Sequence, residues 1–391
     1  MGREDASAGS PLDAARPSAK ALRWRVIKSL KNQGFTVRRG SLVTPDPADK
    51  EAIRGLHAMA VQHRIEQSRP GLCRHEQRLM QRIADGKDLV PERISPRLVE
   101  VQPDSEDELL FRYARLHWSI PVSAGYGRRI RFLVLDEAND KLIGIFGLGD
   151  PVYSLGPRDE WIGWSSAAKK RRIRSVLDAF VLGAVPPYSY LLCGKLVALL
   201  VVSNEVREAV QRKYGGKASF ISAVPHDGEL ALITTTSALG RSSIYNRLTL
   251  GAEAVFKSSG FTSGSGEFHF SDGIYKDLRS FALANCEATA KDQRWGSGFR
   301  SRREIVLKAM PKLNLPRRLI YHGIGREIFV IPLAKNTRSF LNGDSEELDY
   351  FARPAVDLWN WFRHRWLLPR ARRDQRYNEF DRESYRLWPK R

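Results

Sequence analysis

Apolar residues recur at helical spacing along the first third of the chain. One stripe comprises Leu22, Val26, Ile27 and Leu30. A second stripe begins after Asp49, and a basic helix is predicted over Arg74–Ile83. The spacing therefore predicts a mainly helical region over residues 21–120. Residues 1–20 are rich in small and charged residues and carry no apolar stripe, so we expect a disordered lead-in.

The pattern then changes to short runs of β-branched and aromatic residues. Residues 131–136 and 141–147 are two such runs separated by a polar turn, which predicts a β-hairpin. A helix is predicted next, with Ser165 or Ser166 as its N-cap and an apolar stripe of Ile173, Val176, Leu177, Phe180 and Val181. Lys169–Arg172 then form a basic first turn, which opposes the helix dipole.

Two more helices and two more strands are predicted before the C-terminal segment. They cover Leu191–Val202, Glu205–Tyr214, Ala218–Val224 and Glu229–Thr236, the last two being strands. We therefore predict an α+β (mixed α/β) fold. Residues 121–350 form a central domain around a mixed sheet, and residues 351–391 form a basic segment rich in Trp and Arg. The order of strands, turn and helix also resembles the Gcn5-related acetyltransferase fold.

The charge of the chain adds a constraint that the pattern does not contain. Its 64 Lys and Arg residues exceed its 44 Asp and Glu residues, for a formal net charge of +20 at pH 7. Such an excess repels itself in the folded state and indicates a polyanionic partner. Nucleic acid, with DNA first, is the partner we expect. The most apolar stretch, Leu191–Val202, is too short to span a membrane, so we expect no membrane association and a cytoplasmic location.

Three basic segments are candidates for contacting phosphate groups. The first is Lys169, Lys170, Arg171 and Arg172. The second lies in the hydroxyl-rich stretch 234–247, where hydroxyls, amides and guanidinium groups suit phosphate, and comprises Arg241, Ser242, Ser243 and Arg247. The third lies where arginines alternate with tryptophans that can stack bases, and comprises Arg363, Arg365, Arg372 and Arg373. The alternatives are ordinary helix caps, solvated faces and tryptophans packed on the core.

The sequence contains no complete catalytic motif. The stretch 186–195 runs from a turn into an apolar helix, as at the cofactor-binding turn of acetyltransferases, but only Gly194 stands where that family has spaced glycines. Carboxylates for a metal-dependent nuclease would have to converge from Asp136, Asp150, Asp159 and Glu160. The three cysteines lack the spacing of a zinc site. We expect no metal and no cofactor, and whether the chain is an enzyme stays open.

Four blocks of sequence resemble a known family. They are Gly147-Leu-Gly-Asp-Pro151, Trp161-Ile-Gly-Trp164, the stretch from Val185-Pro-Pro-Tyr-Ser189 to Gly194-Lys-Leu-Val-Ala-Leu-Leu200, and the most specific block, Ser237-Ala-Leu-Gly-Arg-Ser-Ser-Ile-Tyr-Asn246. From about residue 21 to its end, the chain resembles the DruA family of Druantia anti-phage defence proteins. The resemblance implies one component of a multi-protein bacterial antiviral system that includes a helicase-like partner. It implies no settled chemistry and transfers no catalytic residue.

Together these observations predict a DNA-facing accessory or sensor subunit of a Druantia-type defence system. One alternative is a diverged acyltransferase that uses an acyl-coenzyme A, whose affinity for the cofactor would depend on Gly194 or Lys195. Another is a scaffold whose basic face binds an acidic partner protein. The three hypotheses differ in what the purified chain binds.

Overall fold

The computed structural model describes residues 18–122, 127–217, 227–271, 273–289, 295 and 299–389. Its helices are α1 (Ala19–Asn32), α2 (Lys50–Leu72), α3 (Glu76–Leu79), α4 (Glu106–Ala114), α5 (Gly156–Ile162), α6 (Ser166–Arg172), α7 (Cys193–Leu200), α8 (Asn204–Tyr214), α9 (Ile274–Asn285), α10 (Phe299–Lys312), α11 (Thr337–Asn342), α12 (Ala355–Phe362) and α13 (Leu368–Arg373). Its strands are β1 (Val37–Arg38), β2 (Ser41–Leu42), β3 (Pro96–Glu100), β4 (Arg129–Asp136), β5 (Lys141–Gly149), β6 (Val176–Ala184), β7 (Leu232–Thr236), β8 (Thr249–Leu250), β9 (Glu253–Ala254), β10 (Lys257–Phe261) and β11 (Glu327–Pro332). The predicted α+β class is confirmed.

The described residues form two compact units. The smaller unit contains the described parts of Met1–Pro45, Gly55–Ala60 and Gly264–Gly323, and the larger unit contains the rest. In the smaller unit, α9 packs against α1 and α10. The predicted stripe of α1 is confirmed, since its residues Leu22, Val26 and Leu30 are fully buried. The helix ends before Gly34, whose φ of +93° suits glycine.

The larger unit is organised by a seven-stranded sheet of order β10-β11-β7-β6-β5-β4-β3. Neighbouring strands are antiparallel except β6 and β7, which run parallel. The predicted hairpin is confirmed as β4 and β5, with Asp140 at a φ of +57° in the turn. Between β6 and β7 the chain forms α7 and α8, close to the predicted bounds, with Ser203 capping α8. The mixed sheet and the two helices α7 and α8 together position the candidate site.

One predicted helix is wrong, because residues 176–184 form the central strand β6. The strand pairs with β5 on one side and β7 on the other, and separate apolar clusters cover its two faces. A strand buried on both faces is apolar throughout, and such a short run also satisfies helical spacing. Only Ser166–Arg172 is α-helical there, so Lys169–Arg172 lie in the last turn of α6 rather than the first. The helix dipole therefore favours these cations.

Smaller differences concern the N-terminal half. Residues Arg74–Ile83 do not form one helix but a succession of short turns around α3. Strand β3 lies within the region predicted to be mainly helical, and it extends the sheet at the free side of β4. The strand predicted over Ala218–Val224 falls outside the described residues. In the part of the chain that the structure describes, we find no helix with both the length and the apolar character needed to cross a membrane.

Candidate functional site

A cleft opens where the two parallel strands of the sheet separate. Strands β6 and β7 pair from Val176–Leu232 to Ala179–Thr235, after which β7 turns away while β6 continues to Ala184. The cleft has a volume of about 480 Å³, within the range of small-ligand sites. Ligands of open α/β sheets commonly bind at the carboxyl ends of diverging strands. The position is therefore that of a candidate binding site.

Sequence blocks that are far apart in the chain meet at this cleft. Its walls include the end of β6, the turn and first residues of α7 with Gly194 and Lys195, and Ile244 and Tyr245 of the hydroxyl-rich loop. His117 and Trp118 line it after α4, and the C-terminal segment contributes Phe380, Ser384 and Tyr385. The structure thus brings together the stretch 186–195, the loop after β7 and the C-terminal segment.

Lys195 ties three of these segments to one another. Its Nζ donates to the backbone oxygens of Ile244 and Arg247 at 3.2 and 3.3 Å, and lies 5.1 Å from the ring centre of Trp366. The side chain is 8% exposed, and burial together with the charge of Arg247 lowers its pKa. Lys195 therefore acts on the loop and the C-terminal segment as a positioning residue.

The loop after β7 is held in shape by a buried carboxylate. Oε2 of Glu327 accepts hydrogen bonds from the backbone N–H of Ser242 at 3.1 Å and from Nδ2 of Asn246 at 2.8 Å. The Ser242 hydroxyl caps the following turn by accepting from the Tyr245 amide at 3.2 Å. Arg241, Ser243 and Arg247 remain exposed on the loop, whereas Ser242 is half-buried. The predicted phosphate ligands of this loop thus divide into three exposed residues and one that shapes the turn.

A second charged group, the half-buried Arg326, contacts the same loop. Arg326 donates from Nε to the backbone oxygen of Ser237 at 2.7 Å, and burial lowers its pKa despite the nearby charge of Asp178. Asp178, on β6, accepts a hydrogen bond from Oγ1 of Thr234 at 2.8 Å. Burial of the carboxylate raises its pKa to about 6, although Thr234 and the charges of Arg326 and Arg158 act in the opposite direction.

The four cations of α6 do not form one equivalent set. Nζ of Lys169 lies 2.7 Å from Oδ2 of Asp159, and Nη2 of Arg172 lies 2.5 Å from Oε2 of Glu346. Both cationic side chains are little exposed, at 13% and 11%. Lys170 and Arg171 are exposed at the end of the helix. Two of the four predicted phosphate ligands are therefore engaged inside the fold, and two face solvent.

Arg158 anchors the segment that leads into α6. It is fully buried and donates to the backbone oxygens of Val152 and Tyr153 at 2.8 and 2.9 Å. Its Nη2 also lies 2.6 Å from Oδ1 of Asp159, which receives Lys169 on its other oxygen. Burial alone raises the pKa of Asp159, but the hydrogen bonds from Lys169 and Arg158 outweigh it and hold the pKa below its usual range.

The tryptophans of the C-terminal segment pack on the core. Trp359, Trp361 and Trp366 are half-buried against the main apolar cluster, and Nε1 of Trp361 donates to the backbone oxygen of Thr249 at 3.0 Å. These rings therefore belong to the packing of the larger unit. Among the predicted arginines, Arg363 is half-buried and donates to the Glu92 backbone oxygen at 3.1 Å. The exposed members are Arg365, Arg372 and Arg373.

Three of the four candidate carboxylates of a nuclease site are engaged separately, and the fourth, Glu160, is exposed. Asp136 accepts from the Tyr188 hydroxyl at 2.8 Å, Asp150 from Nε of Arg128 at 2.8 Å, and Asp159 from Arg158 and Lys169. Across residues 18–122, 127–217, 227–271, 273–289, 295 and 299–389, no group of three or more His, Cys, Asp or Glu side chains is placed to hold a metal ion.

Sequence reasoning missed several residues of this site. Glu327 and Arg326 carried one signal, since a charged pair stands at the start of the apolar strand β11. His117, Trp118 and Tyr385 carried none, because only the fold brings residues so distant in the chain into one cleft. These residues contribute the aromatic and polar groups of the cleft.

Comparison with known proteins places the chain in a family. A family model described as Druantia protein DruA matches residues 47–343. A curated relative named Druantia protein DruA, from Escherichia coli (strain UMEA 4076-1), is 37% identical over 371 residues, which cover 95% of this chain and 90% of the relative. No solved structure matches the chain. The match extends over most of both proteins and includes every block described above, and the chain accordingly belongs to the DruA family of Druantia proteins.

Proposed function

We propose that this component of a Druantia anti-phage defence system is its DNA-facing accessory or sensor subunit. The observation that supports the proposal most is a set of exposed cations on ordered elements of a chain whose net charge is +20. The set, called the exposed cations below, is Lys170, Arg171, Arg241, Arg247, Arg365, Arg372 and Arg373. Cations on ordered elements add no cost of ordering the backbone when they neutralise phosphates, and phosphate contacts supply much of the affinity of nucleic-acid-binding proteins.

Two of the three basic segments are neighbours in the larger unit. Lys195 contacts both Arg247 and Trp366, and Trp361 donates to Thr249 just beyond the loop. The loop cations and Arg365, next to Trp366, therefore lie on adjoining elements beside the cleft. This arrangement supports contacts between these cations and successive phosphates of a nucleic acid that runs past the mouth of the cleft.

Neutralising the loop is expected to change the salt dependence of DNA binding. In Arg241→Gln/Arg247→Gln the slope of log affinity against log salt should become shallower by about 1.8 on duplex DNA, since each lost phosphate contact removes about 0.9. Sequence preference should not change, because phosphate contacts carry none. The measurement is fluorescence anisotropy of labelled duplexes over a salt series.

The matched control is Lys276→Gln/Arg279→Gln. It removes the same charge from exposed positions on α9 in the smaller unit, and its slope should equal that of the unchanged protein. An equal loss of slope in both variants would show that only net charge matters. A loop variant that keeps the full slope would reject the loop as a phosphate contact.

We also propose that the chain works beside other subunits, a helicase-like protein among them. Membership of a named defence system supports this, and the basic surface offers a face for an acidic partner. Affinity purification from a strain carrying the whole system separates the hypotheses. Partners released by nuclease treatment fit a DNA-mediated assembly. Partners retained after nuclease, with no affinity of the purified chain for free DNA, favour the scaffold.

The acyltransferase alternative keeps one supporting observation, the course of the sheet. Antiparallel strands lead to β6, which is followed by a turn, α7 and the parallel strand β7, an order similar to that of the Gcn5-related acetyltransferases. The departure lies at the start of α7, where the cap residue is Leu192 at a φ of +62° and Lys195 is tied to the loop. Calorimetry with coenzyme A tests this alternative. Binding that Gly194→Val abolishes would favour it.

A further inference from the structure

The cleft of the larger unit presents backbone groups that the sheet leaves without a neighbouring strand. Beyond the pair Ala179–Thr235, β6 continues to Ala184, and within the described residues it pairs there with β5 alone. The N–H and C=O groups on the other side of this strand edge lie along the cleft. Unpaired groups of this kind suit a planar ligand with donors and acceptors along one edge.

Two side chains that line the cleft each carry a buried polar atom that the fold does not satisfy. Tyr385 is 4% exposed and His117 is half-buried, and their rings stack with centres 3.6 Å apart. Among the described residues, neither Oη of Tyr385 nor Nε2 of His117 has a hydrogen-bond partner. Leaving such atoms buried and unpaired costs stability, and a ligand in the adjoining cleft that hydrogen-bonds to either atom would offset that cost.

Aromatic rings make up much of the rest of the wall. Trp118, Tyr245 and Phe380 line the cleft with Tyr385. Trp118 lies against the strand because residue 183 is glycine: a Cβ there would come within 3.0 Å of Cζ2 of Trp118. Aromatic faces bind flat π-systems by stacking and do so with little regard to which base is present.

Cations flank the part of the loop that lines the same cleft. Ile244 and Tyr245 belong to its wall, and Arg247 follows them directly, with Arg241 at the start of the turn. The cleft suits a flat aromatic group and the arginines suit a phosphate, and a nucleotide carries both groups on one sugar. We infer that the cleft receives one unpaired nucleobase of the bound nucleic acid, while the loop arginines hold its phosphate; this rests on the proposed function.

The test uses three labelled duplexes that differ at one position. One is fully paired, one carries a single-nucleotide bulge, and one carries an abasic residue in the bulge. The full-length protein should bind the bulged duplex about tenfold more tightly than the abasic one, since stacking and edge contacts of one base contribute about that much. 2-Aminopurine placed in the bulge should change its fluorescence on binding, because the base leaves its neighbours.

Blocking the cleft should remove the preference for the bulged duplex over the abasic one and leave the binding of DNA phosphates unchanged. Ser189→Trp and Ala238→Trp fill the cleft from two different walls without altering any charge. The control Ser280→Trp places the same ring at an exposed position on α9. Both cleft variants should bind bulged and abasic duplexes equally, with the salt slope of the unchanged protein, whereas the control keeps the tenfold ratio. Thermal unfolding checks that each variant folds, and the two walls give independent readings.

The outcomes separate this inference from the proposed function. Absence of binding to any duplex at low salt overturns the proposed function and the inference with it. Binding with a normal salt slope but an equal affinity for bulged and abasic duplexes overturns the inference alone. If coenzyme A displaces the labelled duplex, and bulged and abasic duplexes bind equally, the cleft would be assigned to an acyl carrier instead.

Discussion

Arg158→Met is expected to lower the free energy of unfolding by about 3 kcal/mol, because it removes a fully buried cation from a half-buried carboxylate and from two backbone oxygens. Methionine fills most of the volume of the arginine side chain, so a cavity contributes little. The loss comes from the backbone oxygens of Val152 and Tyr153, which lose their donors, and from Asp159, which keeps only Lys169 as a cationic partner among the described residues. Urea unfolding followed by circular dichroism measures the change.

Arg171→Met is the matched control for this prediction. Arg171 is exposed near the end of the helix that Lys169 ties to Asp159, and its replacement should change the free energy of unfolding by less than about 0.5 kcal/mol. The difference between the two variants isolates burial and hydrogen bonding from loss of charge. If Arg158→Met costs less than about 1 kcal/mol, the arginine does not anchor the segment before α6.

Asp178→Asn is expected to stabilise the protein at pH 7 by up to about 3 kcal/mol. The pKa of Asp178 lies near 6 in the folded chain against an ordinary value of 3.8, so the folded state favours the neutral form. Asparagine imitates that form and still accepts the hydrogen bond from Thr234. The substitution also removes the attraction between Asp178 and Arg326, but burial of the carboxylate has the larger effect on its pKa and acts in the opposite direction.

The stability difference between the unchanged protein and Asp178→Asn should depend on pH. Between about pH 4 and pH 6 the folded state holds a proton at Asp178 that the unfolded state has released. The stability that the protonated carboxyl contributes to the unchanged protein is therefore complete below pH 4 and is lost as the pH rises through 6. The stabilities of the two proteins should agree near pH 4 and diverge by pH 7. Equal stability at both pH values, or a variant that is weaker at pH 7, would contradict this assignment.

Some elements of the fold could be predicted because one local signal determines them. The β4–β5 hairpin has two apolar runs about a polar turn, and α8 has a serine cap and an apolar stripe. Strand β6 could not be predicted, because a central strand buried on both faces has no polar alternation. The exchange of helix for strand there also inverted the expected relation between Lys169–Arg172 and the helix dipole.

The candidate site was predictable only in parts. The stretch 186–195 and the hydroxyl-rich loop were identified as chemical segments, but nothing local in the sequence indicates that Lys195 joins them. The sequence does not indicate the ion pairs either. Lys169 and Arg172 are predicted as free cations, and only the structure shows that they pair with Asp159 and Glu346. Contacts between residues so distant in the chain are a property of the sheet topology, which a single sequence does not contain.

The most direct test of a nucleic-acid-facing role is the affinity of the purified protein for labelled single- and double-stranded DNA over a salt series. With several of the seven exposed cations on phosphates, log affinity should fall steeply with log salt, by about 0.9 per phosphate on duplex. We expect a slope of about −4 or steeper, with measurable affinity near physiological salt. No binding at low salt, or an affinity that salt does not change, would contradict a nucleic-acid-facing role.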